Sequence, residues 1–306
     1  MVSVENERQA SCGTVRLAHL SDIHVSAPRL GWQRADWFNK RLAAWFNFRC
    51  LGRRFRFRHG EEVLGILVED LRTRGIDHVI FSGDATALGF EEELRRAVEE
   101  LRVGDVAGGL AVPGNHDYCT VPAAASGIFE RYFAPWQRGE RIDGAIYPFA
   151  QKVGHAWLVA VNSCTGNRWA WDAGGSVGRE QLARLERLLA ELTPGPRILV
   201  THYPVCLANG KPERRTHGLR DLDDVVRIAA AGGVKLWLHG HRHGPYCIDK
   251  PTLAPFPVVC AGSATQTGCW SYSEYTLDGN AIAILRRTFD PESRSFQDVA
   301  ETRLMM

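Results

Sequence analysis

Nine side chains suited to metal binding or proton transfer fall into five short motifs. These are Asp22-Ile23-His24, Gly83-Asp84, Gly114-Asn115-His116-Asp117, Thr201-His202 and Gly240-His241-Arg242-His243. Carboxylate and amide oxygens are hard ligands and imidazole nitrogens are borderline, so the set suits iron, manganese, zinc or cobalt. Asp22 and His24 lie two apart on a segment leaving a strand, where period-two alternation puts both on one side, as ligands of one metal. Gly83 permits a sharp turn beside Asp84, whose two oxygens can bridge two cations. Asn115 offers a neutral carbonyl oxygen, and His202, His241 and His243 offer imidazoles. Alone, a Gly-Asp is usually a turn and a strand-end histidine a satisfied polar group. Five such motifs in this order point to a metal-dependent hydrolase.

Each motif ends an apolar run that reads as a strand. Val15–Leu20, His78–Ser82 and Leu110–Pro113 precede the first three motifs, and 197–200 and 234–238 precede the last two. Apolar residues at helical spacing predict helices over Glu61–Arg74, Glu91–Leu101 and Gly178–Leu192. In the first half this alternation predicts parallel β-α-β units, and the second half is expected to repeat it with more antiparallel character. Ala156–Val161 predicts a further strand. Beyond His243, Val258–Gly262, Tyr272–Leu277 and Ala281–Thr288 predict strands joined by tight turns, with Asp278-Gly279-Asn280 as a hairpin turn. Strand C-termini open into one crevice, so ligands far apart in sequence can meet there.

The chain has 306 residues and a net charge of +2, too near neutral to imply a nucleic-acid partner. No apolar run is long enough to span a bilayer, and the first residues lack a basic-then-apolar export pattern. A cytoplasmic protein with reduced thiols is expected, since none of the eight cysteines forms a C-x-x-C pair. The oligomeric state has no signature.

The motifs resemble those of the calcineurin-like metallophosphoesterase superfamily, D-x-H, G-D, G-N-H-[DE], H and G-H-x-H, all present in order between Leu17 and His243. The resemblance extends to bacterial cyclic-nucleotide phosphodiesterase-like members. It implies an α/β fold: a two-sheet mixed β-sandwich flanked by helices, in α/β/β/α layers, with the site at the strand ends. It implies one metal on Asp22, His24, Asp84 and His243, and another on Asp84, Asn115, His202 and His241, bridged by Asp84. His116 is then no ligand but faces the leaving-group oxygen, with Asp117 orienting it and favouring imidazolium. Two cations sharing a water lower its pKa, and the resulting hydroxide attacks phosphorus in line. The expected substrate is a small-molecule phosphoester, most readily a phosphodiester. The alternatives are a nucleotide-sugar or lipid-linked pyrophosphate and a phosphomonoester. A non-catalytic scaffold is the contrasting class, and loss of His116 or of ligands would mark it.

Residues 1–14 are expected to be a flexible N-terminus and 15–306 a single domain. Within it, 25–59 is a long insertion after the first motif. Asp36–Phe48 carries Trp37, Phe38, Leu42, Trp45 and Phe46 at helical spacing, amid Arg34, Lys40, Arg41, Arg49, Arg53, Arg54, Arg56 and Arg58. Three readings fit: a helix packed on the core, a cap binding an anionic and partly apolar substrate, or peripheral contact of 36–58 with an anionic membrane. In the cap reading, Trp45 and Arg54 set substrate preference. A second basic loop, with Lys211, Arg214, Arg215, His217 and Arg220, is a candidate phosphate contact. His239 is expected in the core or behind the ligands.

Overall fold

The computed structural model describes residues 14–105, 108–279 and 281–305. The expected flexible N-terminus, residues 1–14, lies outside these apart from Thr14. In chain order the elements are β1 Val15–Leu20, α1 Lys40–Cys50, α2 Gly60–Thr73, β2 His78–Phe81, α3 Glu91–Leu101 and β3 Gly108–Ala111. Then come α4 Val121–Ala125, α5 Ile128–Tyr132, β4 Phe149–Val153, β5 Ala156–Ala160, α6 Arg179–Glu191 and β6 Arg197–Val200. The chain continues through α7 Leu222–Ala231, β7 Val234–His239, β8 Tyr246–Ile248, β9 Val258–Cys260, β10 Ser271–Asp278, β11 Ala281–Asp290 and β12 Ser295–Met305.

The strands form two six-stranded sheets, ordered β12-β11-β10-β1-β2-β3 and β4-β5-β6-β7-β9-β8. Alternation along each strand sorts side chains between two layers. Leu17, Ile80, Ile198, Val200, Leu236 and Leu238 fill the space between the sheets. Their neighbours Ala18, Leu20, Val79, Phe81, Leu199 and Trp237 face outward into the layer shared with the helices. The fold is the expected α/β sandwich of two mixed sheets flanked by helices.

The second half differs from the sequence reading in direction. Strands β5, β6, β7 and β9 are mutually parallel, with antiparallel pairing at the edge strands β4 and β8. The antiparallel β10, β11 and β12 belong to the first sheet, because β10 returns to pair with β1. The β10–β11 hairpin does turn at Gly279, in the left-handed region at φ +58°. The connection from β9 to β10 therefore crosses between sheets beneath the first motif, where the Ser263 hydroxyl donates to the Asp22 carbonyl at 2.6 Å. The insertion also differs from one continuous helix. Arg34–Phe38 is a 3-10 turn, and the chain is extended at Asn39, whose side chain accepts from the Arg41 amide and caps α1.

Behind the helices a buried carboxylate, Glu274, gathers Arg16 at 2.9 Å, the Arg74 guanidinium and the Tyr272 hydroxyl at 2.9 Å. Arg287 completes the cluster through Asp70 at 3.0 Å. Glu274→Ala should cost about 3 kcal/mol, the low end for breaking a buried pair, since Arg16 and Arg74 keep some solvent. Urea unfolding measures this, and the metal content of the folded variant should be unchanged.

Candidate metal centre

The five motifs leave the C-terminal ends of β1, β2, β3, β6 and β7, so the centre straddles the edges of both sheets. Adjacent loops are pinned to one another. The Asp22 amide donates to the Gly83 carbonyl at 2.9 Å, His24 to Asp84 at 3.0 Å and Gly240 to His202 at 3.1 Å. The approach is too close for side chains: a Cβ on Gly114 would lie 2.1 Å from Asp84 Oδ1, and one on Gly240 would lie 1.9 Å from Ser21 Oγ.

Asp22 and His24 do not sit on an extended segment, contrary to the alternation argument. Both are left-handed, at φ +55° and +44°, as are Asp84 at +59°, His241 at +70° and His243 at +55°. Each such non-glycine residue costs roughly 1–2 kcal/mol. Strain of this kind persists only where the surroundings over-determine it, and it concentrates at functional sites.

The Asp117 carboxylate is one determinant. It accepts the backbone amides of Asp84 at 2.9 Å, Ala85 at 3.2 Å, Thr86 at 2.9 Å and Gly114 at 2.8 Å, and the Thr86 hydroxyl at 3.0 Å. Asp117 thus fixes the loop that carries Asp84. The expectation that it orients His116 is corrected: His116 Nδ1 donates instead to the Ala87 carbonyl at 2.7 Å. That contact leaves Nε2 for ligand chemistry.

The seven residues expected as metal ligands converge. Asp22 Oδ1 lies 3.2 Å from His243 Nε2 and 3.8 Å from His24 Nε2. The two imidazole nitrogens are themselves 3.1 Å apart. Asp84 Oδ2 lies 3.6 Å from His24 Nε2 and 3.5 Å from His202 Nε2, between the two sets. Asn115 Oδ1 lies 3.1 Å from His202 Nε2 and 3.0 Å from His241 Nδ1. Three overlapping groups in this cluster could each hold a cation: Asp22-His24-His243, Asp22-Asp84-His202 and His24-Asp84-His116. The last also brings His116 within ligand distance.

The rings are aimed from behind. Nδ1 of His24 meets the Thr86 carbonyl at 3.2 Å, Nδ1 of His202 the Ser82 carbonyl at 2.8 Å, and Nδ1 of His243 the Gln266 side-chain oxygen at 2.5 Å. Such contacts fix the tautomer and present Nε2 as the lone-pair donor. Gln266 was missed from sequence; it lies 23 residues beyond His243 in the crossing loop, with no motif around it. His239 is fully buried; its Nδ1 lies 2.9 Å from the Gly240 carbonyl and its ring packs against Tyr246 at 5.4 Å.

The electrostatics fit cations. Burial and the Asp22 charge push Asp84 up to about 8. For Asp22 burial also acts upward, but the neighbouring His24 and His243 outweigh it and hold the carboxyl well below its usual range. Burial lowers His24 to about 3 and also lowers His202 and His241, favouring the neutral form that binds metal. Burial, Arg53 and His24 hold His116 well below 6.5, so imidazolium is disfavoured here rather than favoured. Among the described residues no group meets fully buried Asp22 Oδ1 with hydrogen-bond geometry, although His243 Nε2 lies 3.2 Å away. Two repelling buried carboxylates among mostly neutral imidazoles, with His243 alone raised because its burial is outweighed by Asp22, form a donor set suited to divalent cations.

A cleft of 620 Å³ opens over Asp84, Asn115, His116, His241 and His243. The insertion lines its other side with Lys40, Ala44, Asn47, Arg53 and Arg56. Two expected specificity residues are elsewhere. Trp45 packs beside Phe48, Leu88 and Phe90, and Arg54 stacks over Phe55 at 4.8 Å. From the second basic loop His217 reaches the cleft, while Arg220 pairs with Asp172 at 2.5 Å.

Residues 15–245 match the family model of the calcineurin-like phosphoesterases, and the chain belongs to that family. It is a family of metal-dependent phosphoesterases that typically use two divalent cations. No curated protein matches the chain in sequence. Among solved structures, a dimetal phosphatase from Danio rerio is similar at 14% identity and a TM-score of 0.64, over 95% of this chain and 98% of that one. Purple acid phosphatase PPD1 from yellow lupin seeds is similar at 12% identity and a TM-score of 0.62, over 96% of this chain and 54% of that one. At these identities the likeness is one of fold.

Asp117→Asn turns an amide donor toward backbone amides. It should cost about 1–3 kcal/mol of stability and weaken metal binding about 10–100-fold, measured by thermal melting and by chelator competition. A role confined to orienting His116 would leave both unchanged.

Proposed function

We propose that the protein hydrolyses a phosphoester, with a phosphodiester as the preferred substrate, at a centre of two cations. Asp22, His24 and His243 would hold one, Asn115, His202 and His241 the other, and Asp84 both. The observation that carries this reading is the place of the Asp84 carboxylate, 3.6 Å from His24 and 3.5 Å from His202, between the two donor sets. Manganese, iron, zinc and cobalt all accept these ligands. Cations held there supply Lewis acidity, which acidifies water and neutralises phosphoryl oxygens.

The chain's own residues do the rest. Backbone carbonyls hold His24 and His202 in the ligand tautomer. Asp117 keeps the Asp84 loop rigid without entering the reaction. His116, anchored through Nδ1, would protonate the leaving-group oxygen from Nε2 as imidazolium, a form that burial and Arg53 disfavour and that an anionic phosphoryl group in the cleft would favour. Arg53 stands in the cleft beside Asp84 and His116, and its fork of donors suits phosphoryl oxygens. The diester preference is supported by this single group for the departing oxygen. A second reading, a diphosphate such as a nucleotide-sugar or lipid-linked pyrophosphate, is favoured by Lys40, Arg53 and Arg56 together, more cations than one phosphoryl group needs. All seven described cysteines are free thiols, which supports a reducing compartment such as the cytoplasm.

The test is hydrolysis by manganese-loaded protein of matched aryl phosphate monoesters and diesters, cyclic AMP and a nucleotide-diphosphate sugar. The diester should turn over fastest, and chelation should abolish turnover. A faster diphosphate reaction would select the second reading, and no turnover on any substrate would remove the enzyme reading. His116→Ala should keep its metal and lose about 10²–10⁴-fold in kcat. Loss of metal as well would make His116 a ligand.

A further inference from the structure

The mouth of the cleft carries side chains that hydrolysis does not require. Helix α1 presents Lys40, Ala43, Ala44 and Asn47 to the cleft. Phe46, one turn from Ala43, is 51% exposed, and Leu51, which also lines the cleft, is 68% exposed. Phe55 follows between the cleft residues Arg53 and Arg56 and is 59% exposed. Across the mouth, Ala170 lines the cleft between Trp169 and Trp171, whose rings stack at 5.1 Å. Trp171 is 68% exposed. The two rims are joined where Lys40 Nζ donates to the Asp172 carbonyl at 2.8 Å. Single exposed apolar residues are ordinary, but a cluster around one opening marks an interaction surface.

The charge is equally uneven. Residues 25–59 hold nine Lys or Arg and one Asp, in a chain of net charge +2. That one acid, Asp36, is taken by Arg41 at 2.8 Å. On the rims arginines lie over aromatic rings, Arg54 over Phe55 at 4.8 Å and Arg168 over Trp169 at 5.3 Å. Basic side chains interleaved with Trp, Phe and Leu match the boundary between anionic headgroups and acyl chains. On the adjoining face of α1, a groove of 590 Å³ is lined by Leu30, Trp32, Trp45, Phe48 and Leu88, with Arg29 and Arg49 beside them. Helix α1 thus separates a cationic cleft from an apolar groove. Among the described residues no helix is long and apolar enough to cross a membrane, so contact of this kind is peripheral.

We propose that the rim formed by α1, the Arg53–Phe57 turn and the Trp169–Trp171 loop docks on an anionic lipid bilayer, placing the cleft against phosphoester headgroups. Placing the reaction there rests on the hydrolase reading; docking itself does not. Charge complementarity favours the bilayer, and the exposed Leu51 and Phe46 favour it over a nucleic acid, which offers them no apolar phase.

The test is co-sedimentation of the full chain with phosphatidylcholine vesicles, with and without phosphatidylglycerol, alongside hydrolysis of a soluble aryl phosphoester. The wild-type protein should sediment with the anionic vesicles, less so as salt rises. Phe46→Ser with Trp171→Ser should abolish sedimentation. Arg54→Gln should lower partition about fivefold, the share of one cation near an anionic surface. Both variants should keep the wild-type melting temperature and the rate on the soluble ester. No sedimentation of the wild-type protein, equal sedimentation with neutral vesicles, or variants that sediment unchanged would overturn the proposal. Sedimentation without hydrolysis would retain docking and remove the enzyme reading; hydrolysis without sedimentation would do the reverse.

Discussion

One buried carboxylate holds the centre together without belonging to its ligand set. Asp117 draws four backbone amides and a hydroxyl from the β2 and β3 loops onto its two oxygens. A carboxylate in that position satisfies amides that a sharp, left-handed loop cannot pair with one another. It lets Asp84 stand at φ +59° with Gly114 packed against its side chain. Without it the Asp84 loop would relax, and the two donor sets would lose the group between them.

The remaining strain is spread in the same way. Asp22 and His241 are left-handed and brace each other, the His241 amide donating to Asp22 Oδ2 at 2.9 Å. The crossing loop from β9 supports Asp22 through Ser263 and His243 through Gln266. Burial then sets the chemistry. It keeps most of the imidazoles neutral and puts two carboxylates in conflict, an arrangement stable chiefly when cations share it. Stability and metal affinity are therefore coupled through the same loops.

The insertion adds a different kind of order. Its aromatic residues divide by depth: Trp32, Trp45 and Phe48 pack toward Leu88 and Phe90, while Phe46 and Phe55 face outward. Its cations divide likewise, with Lys40, Arg53 and Arg56 toward the cleft and Arg54 toward solvent. One face of this stretch packs on the core and the other lines the cleft.

The family, the α/β plan of two sheets flanked by helices and the converging residues were legible in the sequence. The ligands in these motifs are Asp, Asn and His, residue types that bind such metals, and each motif follows a strand, so chemistry and patterning coincide at fixed places along the chain. Strand direction in the second half was not legible, because a short apolar strand looks the same whether its neighbour runs parallel or antiparallel. Nor were the roles of Asp117 and Gln266. Asp117 stands beside His116 in sequence, yet its oxygens turn to amides of another loop. Gln266 meets His243 because β10 returns to the first sheet. Likewise the choice of Arg53 over Arg54 depends on which way one short turn faces. The sequence by itself determined which atoms could bind metal. The tertiary structure alone decided what holds those atoms and what faces them, because these contacts join residues that no local pattern links.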